Sequence, residues 1–393
     1  MRKRPSGPVF LLTIIIFVMT IMPVQIFAQP GVSAQCFVLV ESETGTVLLE
    51  GNADSRMLIA STTKIMTALV VIENCDLEEV LSVKQEYTLV EGSSMYLKPG
   101  ERLTVESVLY GLMLSSGNDA AVALACHTAG SVEAFAQLMN KKAKELGMTN
   151  SSFKNPHGLD ADGHYSTAKD MAILTVEAMH NPEFAEIVST KTINVAGRSL
   201  TNHNKLLWKY DGALGVKTGY TKSAGRSLVS CAERDGMQLV CVTLNAPDDW
   251  DDHSALYDWA FANYRYERPV EKGQVIVSVP MISGLSDEVD IVADESAGIL
   301  LDKDDSIEVV VNAPKFVYAG VEINRGAGSI SVIVNGESVQ DIGLSFEGDI
   351  RVDDSERLTF WEQVRWGWYR VQKFSILSAL GGRNGAKASK SYF

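Results

Sequence analysis

The order in which strand-like and helix-like hydrophobic patterns follow one another along the chain strongly constrains its fold. Residues 36–49 alternate around a turn at Glu43-Thr44-Gly45, which predicts a β-hairpin. Segments with helical spacing follow from about residue 61 to residue 180, and alternation typical of strands returns at 227–232 and 238–244. Because strands precede and follow the helices, we expect an α+β domain whose antiparallel sheet is built from both ends of this region and is flanked by helices.

Start and stop residues divide the helical block into separate helices. Thr104 and Ser131 stand immediately before periodic apolar segments, where N-cap residues are expected. Residues 150–165 are rich in Gly, Asn, Asp and His and are interpreted as a loop. The predicted helices run from Ser61 to near Asn74, from Thr104 to about Leu114, from Asn118 to Ala129, from Ser131 to Gly147, from Thr167 to His180 and from Ser254 to Tyr264.

The composition changes near Arg268. From Gly273 to Val352 the pattern contains no good helix, and β-rich runs are separated by turn residues at roughly ten-residue spacing. This pattern predicts a small all-β domain, a sandwich or a barrel, over residues 268–353, after a first domain over 35–267. The clearest runs are 275–279, 306–311, 317–321 and 329–334.

The N-terminus has the organisation of an export signal. Positive residues at positions 2–4 precede an apolar core from Val9 to Met22, and small residues follow at Ala28 and Ala34. We therefore predict a signal peptide over residues 1–34, with cleavage near residue 28 or residue 34. An uncleaved membrane anchor is the alternative, because the apolar stretch from Val9 to Phe27 is almost long enough to span a bilayer.

The last segment, residues 354–393, contains a predicted amphipathic helix. From Arg365 onward it has six Lys or Arg residues and no acid. A basic helix with a Trp-rich apolar face suits the membrane interface, and packing on the β domain is the alternative. The apolar face, an arc of roughly 100° on a helical wheel, contains Phe360, Trp361, Val364, Trp368 and Val371.

The overall charge and the cysteine content exclude some functions. A net charge of −14 over 393 residues argues against a nucleic-acid partner. The five cysteines leave at least one thiol unpaired. Cys231 and Cys241 flank a predicted turn and could face each other across a hairpin. The favoured interpretation is that both are small buried residues, because both lie in apolar alternating runs.

A serine and a lysine lie one helical turn apart in Ser61-Thr62-Thr63-Lys64, directly before an apolar stretch. Residues with this spacing share one helical face. Serine needs a base to become a nucleophile, and burial beside other cations lowers the pKa of lysine enough to make it one. Ser61 and Lys64 are therefore a candidate nucleophile and base, although the motif alone is common.

Two further motifs supply partners for this pair. Ser116-Gly117-Asn118 lies between two predicted helices and offers a hydroxyl and a carboxamide on a turn. Lys217-Thr218-Gly219 enters a predicted strand, where the glycine lets another backbone approach closely. The three motifs follow one another at spacings of roughly 55 and 100 residues, and together they form a specific signal.

With these motifs the chain resembles the penicillin-recognising serine hydrolases, a β-lactamase/transpeptidase-like fold. It most resembles the low-molecular-weight penicillin-binding proteins that are serine-type D-alanyl-D-alanine carboxypeptidases, the S11 peptidase family. The resemblance covers nearly the whole mature chain, including the β-rich second domain and the amphipathic tail. The matching segments are residues 59–68, Asn155-Pro156-His157-Gly158-Leu159, residues 165–168 and Lys217-Thr218-Gly219-Tyr220-Thr221.

This resemblance implies a role for each motif residue. Ser61 would attack the carbonyl of the penultimate D-alanine, Lys64 would accept its proton, and Ser116 would relay the proton to the leaving D-alanine. Asn118 would bind the substrate amide and steady Lys64, while Lys217 and Thr218 would bind the terminal carboxylate. The backbone N–H groups of Ser61 and Tyr220, next to Gly219, would form the oxyanion hole.

The resemblance also implies partners and a location. The substrate would be the stem peptide of peptidoglycan, and β-lactams would acylate Ser61 as covalent inhibitors. The protein would be exported to the outer face of the cytoplasmic membrane and the cell wall, and the tail would bind the membrane surface. No cofactor and no metal are expected. A D,D-endopeptidase, a class A-type β-lactamase and a non-enzymatic penicillin-binding scaffold are the alternatives.

One polar segment and one further histidine are also candidates for a functional role. His157, Asp160, Asp162 and His164 could hold a metal ion, but a hydrogen-bonded loop at the border of the cleft is favoured. His203 could line the cleft, but a role in a turn is favoured.

Overall fold

The structure is a computed structural model that describes residues 29–319, 326–348 and 364–365. Its main sheet is antiparallel and has the strand order β2-β1-β9-β8-β7, so that the N-terminal hairpin pairs with strands that come about 200 residues later. The strands of this first region are β1 (Cys36–Glu41), β2 (Val47–Gly51), β3 (Val80–Ser82), β4 (Arg102–Thr104), β5 (Thr192–Val195), β6 (Arg198–Thr201), β7 (Ala213–Thr221), β8 (Gly225–Arg234) and β9 (Met237–Leu244).

The helices lie between and after these strands. The caps predicted at Thr104 and Ser131 are confirmed, since each side-chain oxygen accepts a hydrogen bond from the backbone three residues later. The helices are α1 (Lys64–Asn74), α2 (Val105–Leu114), α3 (Asn118–Ala129), α4 (Val132–Glu145), α5 (Ala168–Met179), α6 (Pro182–Ser189), α7 (Leu206–Lys209) and α8 (Asp249–Asn263). The α+β architecture with an antiparallel sheet flanked by helices is confirmed.

Helix α6 and the first turn of α8 were not predicted. Helix α6 has a recognisable start, because the Asn181 side chain caps Phe184 N and a proline occupies the first helical position. Helix α8 begins at Asp249, five residues before the predicted start, since its first turn consists mainly of acids rather than apolar residues. The first turn of α8 matters for the site, because Asp249 borders the active-site cleft.

The two cysteines of the β8–β9 hairpin do not face each other. Cys231 pairs with Val240, and Cys241 pairs with Ser230. This one-residue offset directs the two thiols to opposite faces of the sheet. Cys231 packs in the core shared with α1 and α3, whereas Cys241 packs against α8. All five thiols are free, and the interpretation of both residues as small buried side chains is confirmed.

A second, β-rich region follows α8 without an intervening linker. Strand β10 continues directly from the helix and crosses the boundary predicted between residues 267 and 268. In the described residues, one sheet has the order β14-β16-β17-β12-β11-β15, and β10 pairs with β13. The strands are β10 (Tyr264–Val270), β11 (Val275–Ile282), β12 (Glu288–Ala293), β13 (Ala297–Asp302), β14 (Ile307–Asn312), β15 (Val317–Tyr318), β16 (Gly328–Val334) and β17 (Glu337–Glu347).

The predicted signal core and the predicted tail helix fall outside the described residues. Residues 1–28 and, apart from the pair 364–365, residues 349–393 are not described. Within the described ranges, no helix combines the length and the apolar character that crossing a bilayer requires.

Candidate active site

Ser61 lies in a tight 3₁₀ turn, Ala60–Thr63, that leads directly into α1. Ala60 adopts a left-handed conformation with φ +46°, and the Thr62 hydroxyl donates to Ile59 O at 2.6 Å. This turn leaves Ser61 partly exposed, while Lys64, the first residue of α1, is completely buried. The predicted proximity of the two side chains is confirmed at 3.0 Å between Lys64 Nζ and Ser61 Oγ.

The surroundings of the Lys64 amine suit a general base. Its Nζ lies 2.7 Å from Asn118 Oδ1 and 2.7 Å from the carbonyl oxygen of His157. Both are acceptors only, so that once the amine is neutral they take its two N–H groups and leave its lone pair for the Ser61 hydroxyl. Burial, together with the positive charge of Lys217, holds the pKa of Lys64 well below the ordinary value for lysine.

Asn118 is held in place by the segment before α2. Its Nδ2 donates to Glu91 O at 2.6 Å, and its backbone N–H donates to Ser93 O at 2.7 Å. The neighbouring Asp119 carboxylate accepts from Met95 N, Leu97 N and the Ser94 hydroxyl. No local sequence pattern indicates the role of this buried carboxylate, which is to fix residues 94–97 beside the cleft.

The turn between α2 and α3 presents Ser116 to the cleft. Ser116 adopts φ +58°, a conformation that costs a non-glycine residue energy and recurs at active sites. Gly117 follows it, and a Cβ there would lie 2.9 Å from Asp119 Oδ1 and 3.1 Å from Met95 N. The middle position of Ser116-Gly117-Asn118 is therefore crowded by the same acid that orders the neighbouring segment.

The loop 155–159 supplies the second acceptor for Lys64. Asn155 Oδ1 accepts from Gly158 N at 2.7 Å and from His157 N at 3.3 Å, so that this side chain ties the loop into one shape. Gly158 has φ +85°, and a Cβ on it would lie only 1.9 Å from Ala60 O. The loop therefore packs directly on the 3₁₀ turn Ala60–Thr63, called the nucleophile turn below, and only glycine fits at the contact.

The two histidines of this loop are hydrogen-bonded. Lys154 N donates to His164 Nδ1 at 3.1 Å, so His164 Nε2 carries the proton that it shares with Thr63 Oγ1 at 2.9 Å. Mainly through burial, the pKa values of His157 and His164 are lowered to about 4. Asp160 instead accepts from the Thr221 hydroxyl at 2.9 Å. These contacts support the interpretation of the segment as a loop that borders the cleft.

Strand β7 places the third motif against the nucleophile. A Cβ on Gly219 would lie 3.1 Å from Ile59 O and 3.2 Å from Ser61 N, which explains the glycine. Lys217 is 1% exposed, its Nζ donates to the Thr218 carbonyl at 2.9 Å, and burial lowers its pKa to about 7. Lys217 is thus a buried neighbour of Lys64 and not a surface cation.

A cavity of about 330 Å³ opens above these residues. Five of the sequence-predicted site residues line it, while Lys64, Asn118 and Lys217 lie buried behind the lining. The predicted lining residues are Ser61, Ser116, Thr218, Gly219 and Tyr220, and those missed as site residues are Ser93, Lys205, Arg226, Asp249 and Trp250.

His203 also lines this cavity, although a role in a turn was the favoured prediction. Its backbone N–H donates to Leu114 O at 3.3 Å, so the residue fastens its turn to the end of α2. Burial and the nearby Lys217 lower the pKa of the imidazole.

Arg226 is an exposed cation in the cleft wall. It lies opposite Tyr220 in the β7–β8 pair, and 44% of its side chain is exposed. The guanidinium donates to Asp249 Oδ1 and lies 5.8 Å from the centre of the Trp250 ring. Asp249 is buried, and a buried carboxylate beside an aromatic ring fixes the orientation of a guanidinium. An ion pair that joins a strand to the following helix has no local sequence signature.

Comparison with known proteins agrees with this geometry. The sequence profile described as D-alanyl-D-alanine carboxypeptidase, Peptidase S11, matches residues 24–248. D-alanyl-D-alanine carboxypeptidase DacF of Bacillus subtilis is 31% identical over 86% of this chain and 91% of its own length. D-alanyl-D-alanine carboxypeptidase DacC of Escherichia coli is 34% identical over 80% of this chain and 84% of its own.

Solved structures show the same fold. Penicillin binding protein 5 from Haemophilus influenzae superimposes with a TM-score of 0.66 at 29% identity and covers 82% of this chain and 98% of that one. A mutant of the Streptomyces K15 DD-transpeptidase gives 0.57 at 34% identity, over 60% of this chain and all of that one. The present chain therefore belongs to the D-alanyl-D-alanine carboxypeptidase family, Peptidase S11.

Proposed function

We propose that the protein is a serine D,D-carboxypeptidase that removes the terminal D-alanine from peptidoglycan stem pentapeptides through an acyl-enzyme on Ser61. The observation that carries the proposal is the hydrogen bonding of Lys64. Two acceptors lie 2.7 Å from its Nζ, and the Ser61 Oγ lies 3.0 Å from the same nitrogen, where the lone pair of the neutral amine would face it. A buried neutral amine in this position can accept the serine proton as the hydroxyl attacks.

The acylation step uses residues on both sides of the cavity. Ser61 Oγ attacks the carbonyl carbon of the penultimate D-alanine while Lys64 takes its proton. The backbone N–H groups of Ser61 and Tyr220 receive the oxyanion, a contribution of roughly 3 kcal/mol per fixed donor. The C–N bond then breaks as the proton passes through Ser116 to the leaving nitrogen of D-alanine, which leaves Lys64 neutral again.

Recognition of the terminal carboxylate is divided between three residues. Thr218 and Arg226 face the cavity, and the guanidinium fork of Arg226 is charged at all physiological pH values and suits a carboxylate. Lys217 is shielded behind them, so we assign it an electrostatic contribution rather than the direct contact expected from the sequence. This division favours substrates with a free C-terminal carboxylate.

Deacylation reverses the proton path. A water molecule gives its proton to neutral Lys64 and attacks the ester carbonyl. Ser61 Oγ then leaves and recovers a proton from Lys64, which releases the shortened stem peptide. β-Lactams present an acyl group and a carboxylate in a similar arrangement, so we expect them to acylate Ser61 by the first step.

The decisive experiment measures release of D-alanine from a stem pentapeptide together with covalent labelling by penicillin. Ser61→Ala should abolish both activities because no other hydroxyl lies at 3.0 Å from Lys64 in the described site. Ser189→Ala is the matched control, because that hydroxyl only donates to Glu186 O at the end of α6. Labelling that survives Ser61→Ala would contradict the assignment of the nucleophile.

Isolated peptidoglycan then separates the carboxypeptidase from an endopeptidase. Mass spectrometry of the digested wall should show loss of terminal D-alanine with the cross-links intact. Accumulation of uncross-linked peptides that retain the rest of the stem would instead indicate a D,D-endopeptidase.

We further propose that the chain is exported and acts at the outer face of the cytoplasmic membrane. The sequence patterns of residues 1–34 and 354–393 support this location, as does a substrate found only outside the cell. A chain that ends at Asp353 should be released from membranes after signal cleavage. If it stayed with the membrane fraction, the tail would not be the anchor.

A further inference from the structure

A second cluster of reactive side chains lies away from the cleft, at the far ends of α1 and α3. Cys75 is the residue at which α1 ends, and His127 lies in the last turn of α3. Glu79 lies between α1 and β3. The sulfur, one imidazole nitrogen and one carboxylate oxygen all lie within 4.8 Å of one another, and His127 Nε2 is 3.0 Å from Glu79 Oε2.

The electrostatics of this place favour a cation. The C-terminal ends of two helices meet here, and each carries a partial negative charge from its unpaired carbonyl groups. The Glu79 carboxylate adds a full negative charge. The three side chains are partly exposed, so an ion from solvent can reach them.

The hydrogen bonds around Cys75 orient its thiol. The Thr128 hydroxyl donates its only proton to Leu124 O at 2.9 Å, so the Cys75 thiol is the donor in its 3.2 Å contact with Thr128 Oγ1.

We propose that Cys75, Glu79 and His127 form a binding site for a zinc-class divalent cation, with water in the fourth position. A donor set of sulfur, imidazole nitrogen and carboxylate oxygen suits zinc and disfavours magnesium and calcium. Bond lengths of about 2.0–2.3 Å place tetrahedral ligand atoms roughly 3.5 Å apart, so only small side-chain rotations are needed. Binding forms the metal–sulfur bond and releases the thiol proton to solvent.

The position of the cluster gives the site a structural role. Lys64 is the first residue of α1 and Asn118 is the first residue of α3, and their side chains meet in the active site. The cluster joins the opposite ends of the same two helices, about 16 Å away along the axis of an 11-residue helix. A bound cation would therefore fasten the helix pair that carries the catalytic contact without entering the reaction.

Titration of the reduced, chelator-treated full-length protein tests the proposal. Zinc is measured against a chromophoric chelator, and cobalt is used as the spectroscopic probe. We expect one ion per chain, a near-ultraviolet thiolate-to-cobalt absorption and a raised melting temperature with zinc. Cys75→Ser should remove the absorption, and Cys75→Ser or His127→Gln should weaken zinc binding at least about tenfold, because each variant loses one of the three protein ligands.

Cys126→Ser is the matched control, because that thiol is on the same helix and next to His127 but contacts Tyr87 instead. It should keep the absorption, the affinity and the zinc-dependent rise in melting temperature. Cooperative unfolding of every metal-free variant shows that each has folded. A cobalt spectrum unchanged by Cys75→Ser, equal zinc affinity in all variants, or no binding of either ion would overturn the proposal.

Discussion

The basic side chains on the two walls of the cleft lie in opposite environments, one buried and one exposed to solvent. On the wall made by the nucleophile turn, α1 and α3, Lys64 is fully buried, and its charge is disfavoured by burial and by Lys217. On the wall made by β8 and α8, Arg226 is 44% exposed and paired with Asp249. The difference shows that solvent exposure and neighbouring charges decide the role of a basic side chain. They decide whether it loses its proton and acts as a base or stays charged and binds an anion.

Replacement of Lys64 should have the largest effect. Lys64→Met removes the base and leaves Asn118 Oδ1 and His157 O without their donor, so we expect acylation by penicillin to fall by roughly 10⁴-fold. Lys141→Met, at an exposed position, should leave the rate unchanged. Rates of labelling at saturating and limiting penicillin measure the loss, and a decrease below about tenfold would contradict the role of Lys64 as the base.

Replacement of Lys217, the buried cation on β7 next to Lys64, tests whether burial of a cation beside the first wall costs stability. Its folded pKa of about 7 lies below its unfolded value near 10.5, so the unfolded chain binds more protons between these pH values. The free energy of unfolding should therefore rise with pH across that window. Lys217→Met removes the cost, of the order of a few kcal/mol below pH 7.

Chemical denaturation of both proteins between pH 6 and pH 10 measures this cost, since the window follows from the two pKa values. The excess stability of Lys217→Met should be largest at the acid end and should shrink as pH rises. A difference that does not change with pH would show that Lys217 is charged in the folded protein throughout.

The loop that completes the first wall can be shifted by one methyl group. In Gly158→Ala the new Cβ meets Ala60 O, and the His157 carbonyl moves away from Lys64. We expect acylation to slow by roughly 10–100-fold and the protein to lose about 1–3 kcal/mol of stability. Gly163→Ala is the control, because it has the same left-handed φ but faces only the flexible Lys154 side chain. Equal losses of acylation rate and stability in both variants would show that the effect comes from backbone strain and not from the contact with Ala60 O.

Arg226 tests the second wall, with a smaller expected effect. Arg226→Gln should raise KM for a peptide with a free C-terminal carboxylate by about 10–30-fold, since the charge-assisted hydrogen bond of a partly exposed guanidinium contributes roughly 1.5–2 kcal/mol. The turnover of a C-terminally amidated peptide should hardly change. Arg56→Gln is the matched control, because Arg56 also lies over a ring and bonds a side-chain oxygen, yet faces away from the cavity. An equal loss of activity with both peptides would show that Arg226 does not recognise the C-terminal carboxylate.

Much of the fold could be predicted because the signals are local. Periodicity and caps identified α2, α3 and α4 together with the β8–β9 hairpin. The prediction was weaker at the start of α8, where the residues are acidic rather than apolar. It was also weaker for Cys231 and Cys241, because the register of strand pairing decides which face of the sheet each thiol occupies. A one-residue offset in pairing cannot be recognised from two apolar alternating runs.

The sequence by itself determined the nature of the active site. Side chains in Ser61-Thr62-Thr63-Lys64, Ser116-Gly117-Asn118 and Lys217-Thr218-Gly219 have chemistry that can be recognised at fixed spacings. Only the tertiary structure decided what completes the site. The carbonyl of His157, 93 residues from Lys64, has no side-chain signature, and the Arg226–Asp249 pair depends on how α8 packs against β8. Burial, which makes Lys64 a base, exists only once the core has formed around it.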